Sequence, residues 1–177
     1  NVQLGTFREE KYMSENQDEL YPNKPIQRQN LSLSEYVLRR NGVPLGASHS
    51  LKNMLHRSFG ARTFASFWQY WNPIWGYGLG KFVYSPLKQF LPSPISLILT
   101  FGISGALHDL ATMAVRRSVA FFFTPWFLLL GLGVLLGRAL DMDLSKRPWS
   151  FRAAINFTYL LICLIGTLIA KRTFGFP

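Results

Sequence analysis

The pattern of polar and apolar positions divides this chain near residue 63. Before that point, charged and polar residues alternate with short apolar clusters. From Phe64 onward the chain is apolar and aromatic, with polar residues mostly between the runs. Residues 94–115, 119–140 and 151–170 form three apolar stretches, each near the ~20 residues a helix needs to cross a ~30 Å hydrocarbon core. They are separated by Arg116–Arg117 and by the polar loop DMDLSKRPWS over 141–150. Gly131, Gly133 and Gly137 in the second stretch, and Gly102, Gly105 and Ala106 in the first, offer close helix approach.

The stretch over 64–91, FASFWQYWNPIWGYGLGKFVYSPLKQFL, is different. Trp68, Tyr70, Trp71, Trp75, Tyr77 and Tyr84 give it the character of a membrane–water interface. Asn72 precedes Pro73, and a residue before proline is biased away from the α-helical region. The pattern therefore predicts a break or kink at Asn72 and a segment that enters a membrane without crossing it cleanly.

Two short helices are expected upstream. LSLSEYVLRR over 31–40 has Ser32 or Ser34 as a cap and Arg39 and Arg40 at its C-terminus, with Gly42, Pro44 and Gly46 ending it. SLKNMLHRSF from Ser50 is amphipathic, and Lys52 and Arg57 suit it to a membrane surface. Residues 1–30, rich in acids and carrying Pro22 and Pro25, read as a loosely attached tail. The chain opens on Asn1 without a signal-peptide pattern, so the first apolar segment is expected to direct insertion.

Composition sharpens this picture. The 177 residues are 49% hydrophobic and 15% aromatic, and 19 Lys+Arg against 9 Asp+Glu give a net charge of +10. After Glu35 the acids are Asp109, Asp141 and Asp143. The bases sit at the ends of apolar runs, as expected of residues that meet lipid headgroups. They form no stripe, which argues against nucleic acid as a partner. If the aromatic segment does not cross, the basic bias places the tail and the 141–150 loop on the cytoplasmic side.

The candidate chemistry centres on His108. On a helix, Ser104, His108 and Thr112 are successive i, i+4 neighbours and form a narrow polar stripe. Burial favours the neutral imidazole, the form a general base needs. The competing structural reading makes His108 a helix-to-helix hydrogen-bond partner and Asn72 a turn-capping amide. Asp109 is expected to pair with Arg116, or to tune His108. His49 and His56 read as surface or interfacial packing, Asn156 as a helix-packing hydrogen bond, and Cys163 as apolar filler. No zinc motif, phosphate-binding loop or Gly-x-Ser-x-Gly elbow is present, so no metal is expected.

SFWQYWNP followed by a helix carrying SGALHD resembles the signature region of the membrane-bound O-acyltransferases. The likeness covers about 64–109 and continues more loosely to the end. It implies acyl transfer from a thioester, acyl-CoA as co-substrate, to a hydroxyl, with no resident cofactor. His108 and Asn72 match the family's catalytic histidine and asparagine. Trp68, Trp71, Ser104 and Thr112 beside them become the candidate substrate-binding residues. The likeness also implies a bacterial inner-membrane location and membrane lipids as partners. Family members carry more helices, which implies a homo-oligomer or a membrane partner completing the chamber. The alternative is a non-enzymatic scaffold or accessory subunit derived from such an enzyme.

The expected fold is thus an all-α, multi-pass integral membrane bundle. It has three clear spans, one broken or re-entrant aromatic segment and a polar N-terminal part. The division expected is 1–63 as a polar, cytoplasmic or interfacial region and 64–177 as the membrane domain.

Overall fold

A computed structural model describes residues 31–117 and 121–175. The expected 1–30 tail and residues 118–120, where the second apolar stretch was expected to begin, lie outside the described residues. Those that are described form helices and turns, with no strand among them.

Each short helix begins where local chemistry supplies a cap. Helix α1 (Leu33–Asn41) starts at Ser32, whose hydroxyl accepts from the Glu35 N–H while the Glu35 carboxylate accepts from the Ser32 N–H at 2.8 Å. This reciprocal pair satisfies two donors that the first turn leaves open. Gly42, at φ 78°, closes the helix. Helix α2 (Ser50–Phe59) follows. Thr63 then caps α3 (Phe64–Tyr70).

The aromatic segment breaks where expected, at Trp71–Asn72. The conformation differs from the extended one that proline favours: Asn72 is left-handed, at φ 40° and ψ 71°. Asparagine tolerates that region better than other side-chain-bearing residues. Its side-chain oxygen accepts from the Trp75 N–H at 3.2 Å, and Pro73 occupies the first position of α4 (Pro73–Leu79). A π-helical turn, Gly80–Tyr84, leads into α5 (Ser85–Phe90).

Two helices are long and apolar enough to cross a membrane: α6 (Ser93–Arg116) and α8 (Trp149–Phe174). Between them, α7 (Phe123–Ala139) is shorter, at 17 residues or ~26 Å. It begins at Phe123, several residues later than its apolar pattern suggests. Pro125 therefore falls in the first turn, where its missing N–H costs nothing, instead of interrupting the helix.

The longest interhelical contact joins α6 to α7, and α8 packs against α7. An added Cβ at Gly105 would lie 2.7 Å from the Phe123 carbonyl oxygen and the Thr124 Cα, so the two backbones meet there. Gly131 similarly admits Phe101, and Gly137 admits the Phe64 ring. The core is built on Leu130, Tyr159 and Cys163, surrounded by aromatic rings including Phe64, Trp68 and Phe127. The Tyr159 hydroxyl donates to the Leu130 carbonyl and accepts from Trp68 Nε1 at 3.3 Å.

The amphipathic helices are docked on this bundle. Asn156 is wholly buried on α8, and its amide donates to the carbonyls of Phe59 and Ala61 at 2.8 and 3.0 Å. The His56 ring stacks on Trp149 at 5.0 Å. Arg40 donates to Gln69 at 2.7 Å, and Tyr36 packs on Tyr77. Residues 33–63 are thus bound to the apolar part by several contacts.

The long helices have little protein around them. Only 17% of the apolar window of α6 and 22% of that of α8 is buried. Ile95, Leu99, Ile103 and Leu107 on α6, and Ile162, Ile165 and Leu168 on α8, face outward. The buried helix of a soluble core would be covered on all sides.

Candidate functional site

Helix α6 carries a stripe of polar side chains spaced four residues apart: Ser96, Thr100, Ser104, His108 and Thr112. Most of them bond back to their own helix. Ser96 donates to the Pro92 carbonyl at 3.1 Å, Thr100 to the Ser96 carbonyl at 2.7 Å, and Thr112 to the His108 carbonyl at 2.8 Å. The helix backbone supplies acceptors that an apolar surrounding does not.

His108 belongs to the same ladder. Its Nδ1 lies 2.7 Å from the Ser104 carbonyl oxygen. A carbonyl only accepts, so Nδ1 carries the proton. In the neutral ring this leaves Nε2 with its lone pair available. One local hydrogen bond thereby fixes both the tautomer and the ring orientation.

The imidazole sits half-buried among three aromatic rings. Trp75 meets it edge-on at 5.6 Å, Phe123 lies at 5.5 Å and Phe127 at 5.0 Å. The Trp75 indole also donates from Nε1 to the Ser104 hydroxyl at 2.9 Å. Helices α4, α6 and α7 therefore converge on this ring.

Asp109, the next residue, is 2% exposed. It does not pair with Arg116. One carboxylate oxygen accepts from the N–H groups of Phe122 and Phe123 at 2.9 and 2.7 Å. The other accepts from the Thr124 N–H at 2.8 Å and the Thr124 hydroxyl at 2.6 Å. The first turn of a helix leaves four N–H groups without partners. Here three end on Asp109, and the fourth position is Pro125, which has none. Asp109 is the N-terminal cap of α7, delivered from another helix, and it sets Phe123 and Phe127 against His108.

The other expected site residues are distributed unevenly. Ser104 touches the site through Trp75. Thr112 bonds back to the His108 carbonyl. Trp68 packs on Phe101 and Phe127 and bonds to Tyr159, so it belongs to the core beside the site. Trp71 is stacked on Phe67 and meets Phe59, on the side of α2. Asn72 is exposed and is not hydrogen-bonded to His108. Its link to the histidine is indirect: it caps the helix whose third residue is Trp75. His49 is the residue before α2 and makes no side-chain cap.

Trp75, Phe123 and Phe127 were not singled out as site residues. Trp75 three positions after a capping asparagine, and Phe123 and Phe127 four apart on one helix face, were the available signals. No cluster of metal-ligating side chains occurs among the described residues.

Compared with known proteins, the chain matches no family model, no curated protein and no solved structure. The likeness to O-acyltransferases rests on the two short motifs around Asn72 and His108.

Proposed function

We propose that this chain is a multi-pass membrane protein that transfers an acyl group from a thioester such as acyl-CoA to a hydroxyl, with His108 as general base. The supporting observation is the His108–Ser104 hydrogen bond, which leaves Nε2 as the basic atom of a ring walled by Trp75, Phe123 and Phe127. The outward apolar faces of α6 and α8 support the membrane setting, with α7 as a third, shorter span and the broken α3–α5 segment as a re-entrant element.

In this reaction Nε2 takes the proton of the acceptor hydroxyl. The alcohol oxygen bonds to the thioester carbonyl carbon. The tetrahedral adduct then expels the thiolate, which recovers the proton from His108. Ester and free thiol are the products, and no covalent enzyme intermediate forms.

The test is acyl transfer by purified, reconstituted protein given labelled acyl-CoAs and membrane-derived hydroxyl acceptors. His108→Gln is expected to lower transfer by about 10²–10⁴-fold with helicity unchanged. Equal transfer by both proteins removes His108 from the reaction.

A second reading, a non-enzymatic scaffold or accessory subunit, is favoured by Asn72. Its carboxamide oxygen is committed to capping α4. In that role the asparagine holds Trp75 in place and has no part in the chemistry.

A further inference from the structure

A cavity lies away from His108. It has a volume of about 600 Å³ and opens between the C-terminal end of α7, the first turn of α8 and the α2–α3 junction. His108 packs on Phe123 and Phe127, whereas the cavity is lined by Gly137 and Arg138, ~15–22 Å further along α7. The two sites therefore lie toward opposite ends of the same helix.

Four arginines line this cavity: Arg57, Arg62, Arg138 and Arg152. Arg57 is already engaged, donating to the Arg40 carbonyl at 2.8 Å and lying over the Tyr70 ring. The guanidinium groups of Arg62, Arg138 and Arg152 make no hydrogen bond among the described residues. The Nε of Arg152 is both buried and unpartnered. A buried guanidinium N–H without an acceptor is costly, so an anion in the cavity would relieve it.

Two acids, Asp141 and Asp143, share the lining. The Asp143 carboxylate accepts from the Ser145 N–H and hydroxyl at 2.8 and 2.9 Å and also feels the charge of Arg62. With two acids against four arginines, the lining stays positive. Exposed apolar side chains lie within a turn of the lining residues in sequence: Leu136 on α7, Leu140 just after it and Phe151 on α8. A cationic cavity that opens beside an apolar surface fits a ligand with an anionic head and hydrocarbon chains.

We propose that this cavity binds the phosphate of an anionic phospholipid, with Arg62, Arg138 and Arg152 as its ligands. Planar guanidinium groups match the geometry of phosphate oxygens. The site does not depend on acyl transfer at His108.

The test uses the full chain, purified in detergent, with phosphatidylglycerol, phosphatidylcholine or inorganic phosphate added, and bound ligand read by native mass spectrometry. Wild type is expected to retain phosphatidylglycerol in preference to phosphatidylcholine. Each of Arg62→Gln, Arg138→Gln and Arg152→Gln is expected to weaken retention about five-fold, as each loses one charge beside the headgroup. Ala65→Glu, which adds a carboxylate to the wall without removing an arginine, is expected to do the same. Arg116→Gln/Arg117→Gln, at the far end of α6, should leave retention unchanged. Equal retention of the two lipids, or unaltered retention by the arginine variants, overturns the proposal. So does inorganic phosphate displacing the lipid at comparable concentration, which would make the cavity a site for free phosphate.

Discussion

Asp109 and Thr124 are joined twice, through the Thr124 N–H at 2.8 Å and its hydroxyl at 2.6 Å to the same carboxylate oxygen. With the two further bonds from Phe122 and Phe123, this contact anchors the start of α7 to the middle of α6. It also places the two phenylalanines that flank His108. Asp109→Asn presents an amide to donors that need acceptors and is expected to destabilise the fold by about 3 kcal/mol or more. Thermal unfolding in detergent measures this. A midpoint equal to that of wild type would show that the cap contributes nothing.

The same junction makes a prediction about glycine. Gly105→Ala forces a Cβ against the backbone of Phe123 and Thr124. Neither neighbour can rotate away, so a loss of about 1–3 kcal/mol is expected. Gly78, on α4, has nothing within 4 Å of an added Cβ. Gly78→Ala should be neutral or stabilising by up to about 1 kcal/mol through helix propensity. Unfolding midpoints that shift alike for both variants would contradict the packing described.

Asn72 variants separate a capping role from a catalytic one for this residue. Asn72→Gly keeps the left-handed backbone and loses only the side-chain cap, at an expected cost of a few tenths of a kcal/mol. Asn72→Ala loses the cap and strains the backbone, for about 1–2 kcal/mol. If Asn72 only caps, the glycine variant retains whatever activity wild type shows. If its amide acts on the substrate, both variants lose activity together, whatever their stabilities.

Glu35 gives a pH dependence. The side-chain hydrogen bond with Ser32, then the bond from the Ser32 N–H, hold its carboxyl below the usual 4.5. A lowered value means that the bond supports α1 above the ordinary pKa and is lost as pH falls through the lowered one. Protection of the Glu35, Tyr36 and Val37 amides against hydrogen exchange, corrected for the intrinsic rate at each pH, should fall over that acid window. In Ser32→Ala it should be low throughout and show no such step.

Features set by neighbours in the chain were legible in the sequence. The α1 cap at Ser32 and the break at Asn72 follow from short-range rules. Asp109 was not legible, because its partners are 13–15 residues away and three of the four are backbone N–H groups, which carry no side-chain signature. The start of α7 at Phe123 was missed for the same reason: nothing in the apolar pattern marks Phe122 as the position where the Asp109 cap opens the helix. The histidine was conspicuous, while its walls were not. Trp75 reaches it only because Asn72 turns the chain, a geometry that spacing does not encode. The arginine cavity draws on positions 57, 62, 138 and 152, which no linear motif joins.

The back-bonded ladder on α6 bears on how the protein is assembled. Ser96, Thr100, His108 and Thr112 each find an acceptor one turn earlier in the chain, so these groups require no neighbouring helix. Asp109 is the exception, because its acceptors stay unmatched until the next hairpin arm arrives. In the membrane setting proposed above, the first arm would insert before the second, and the carboxylate would then select the arm that follows it.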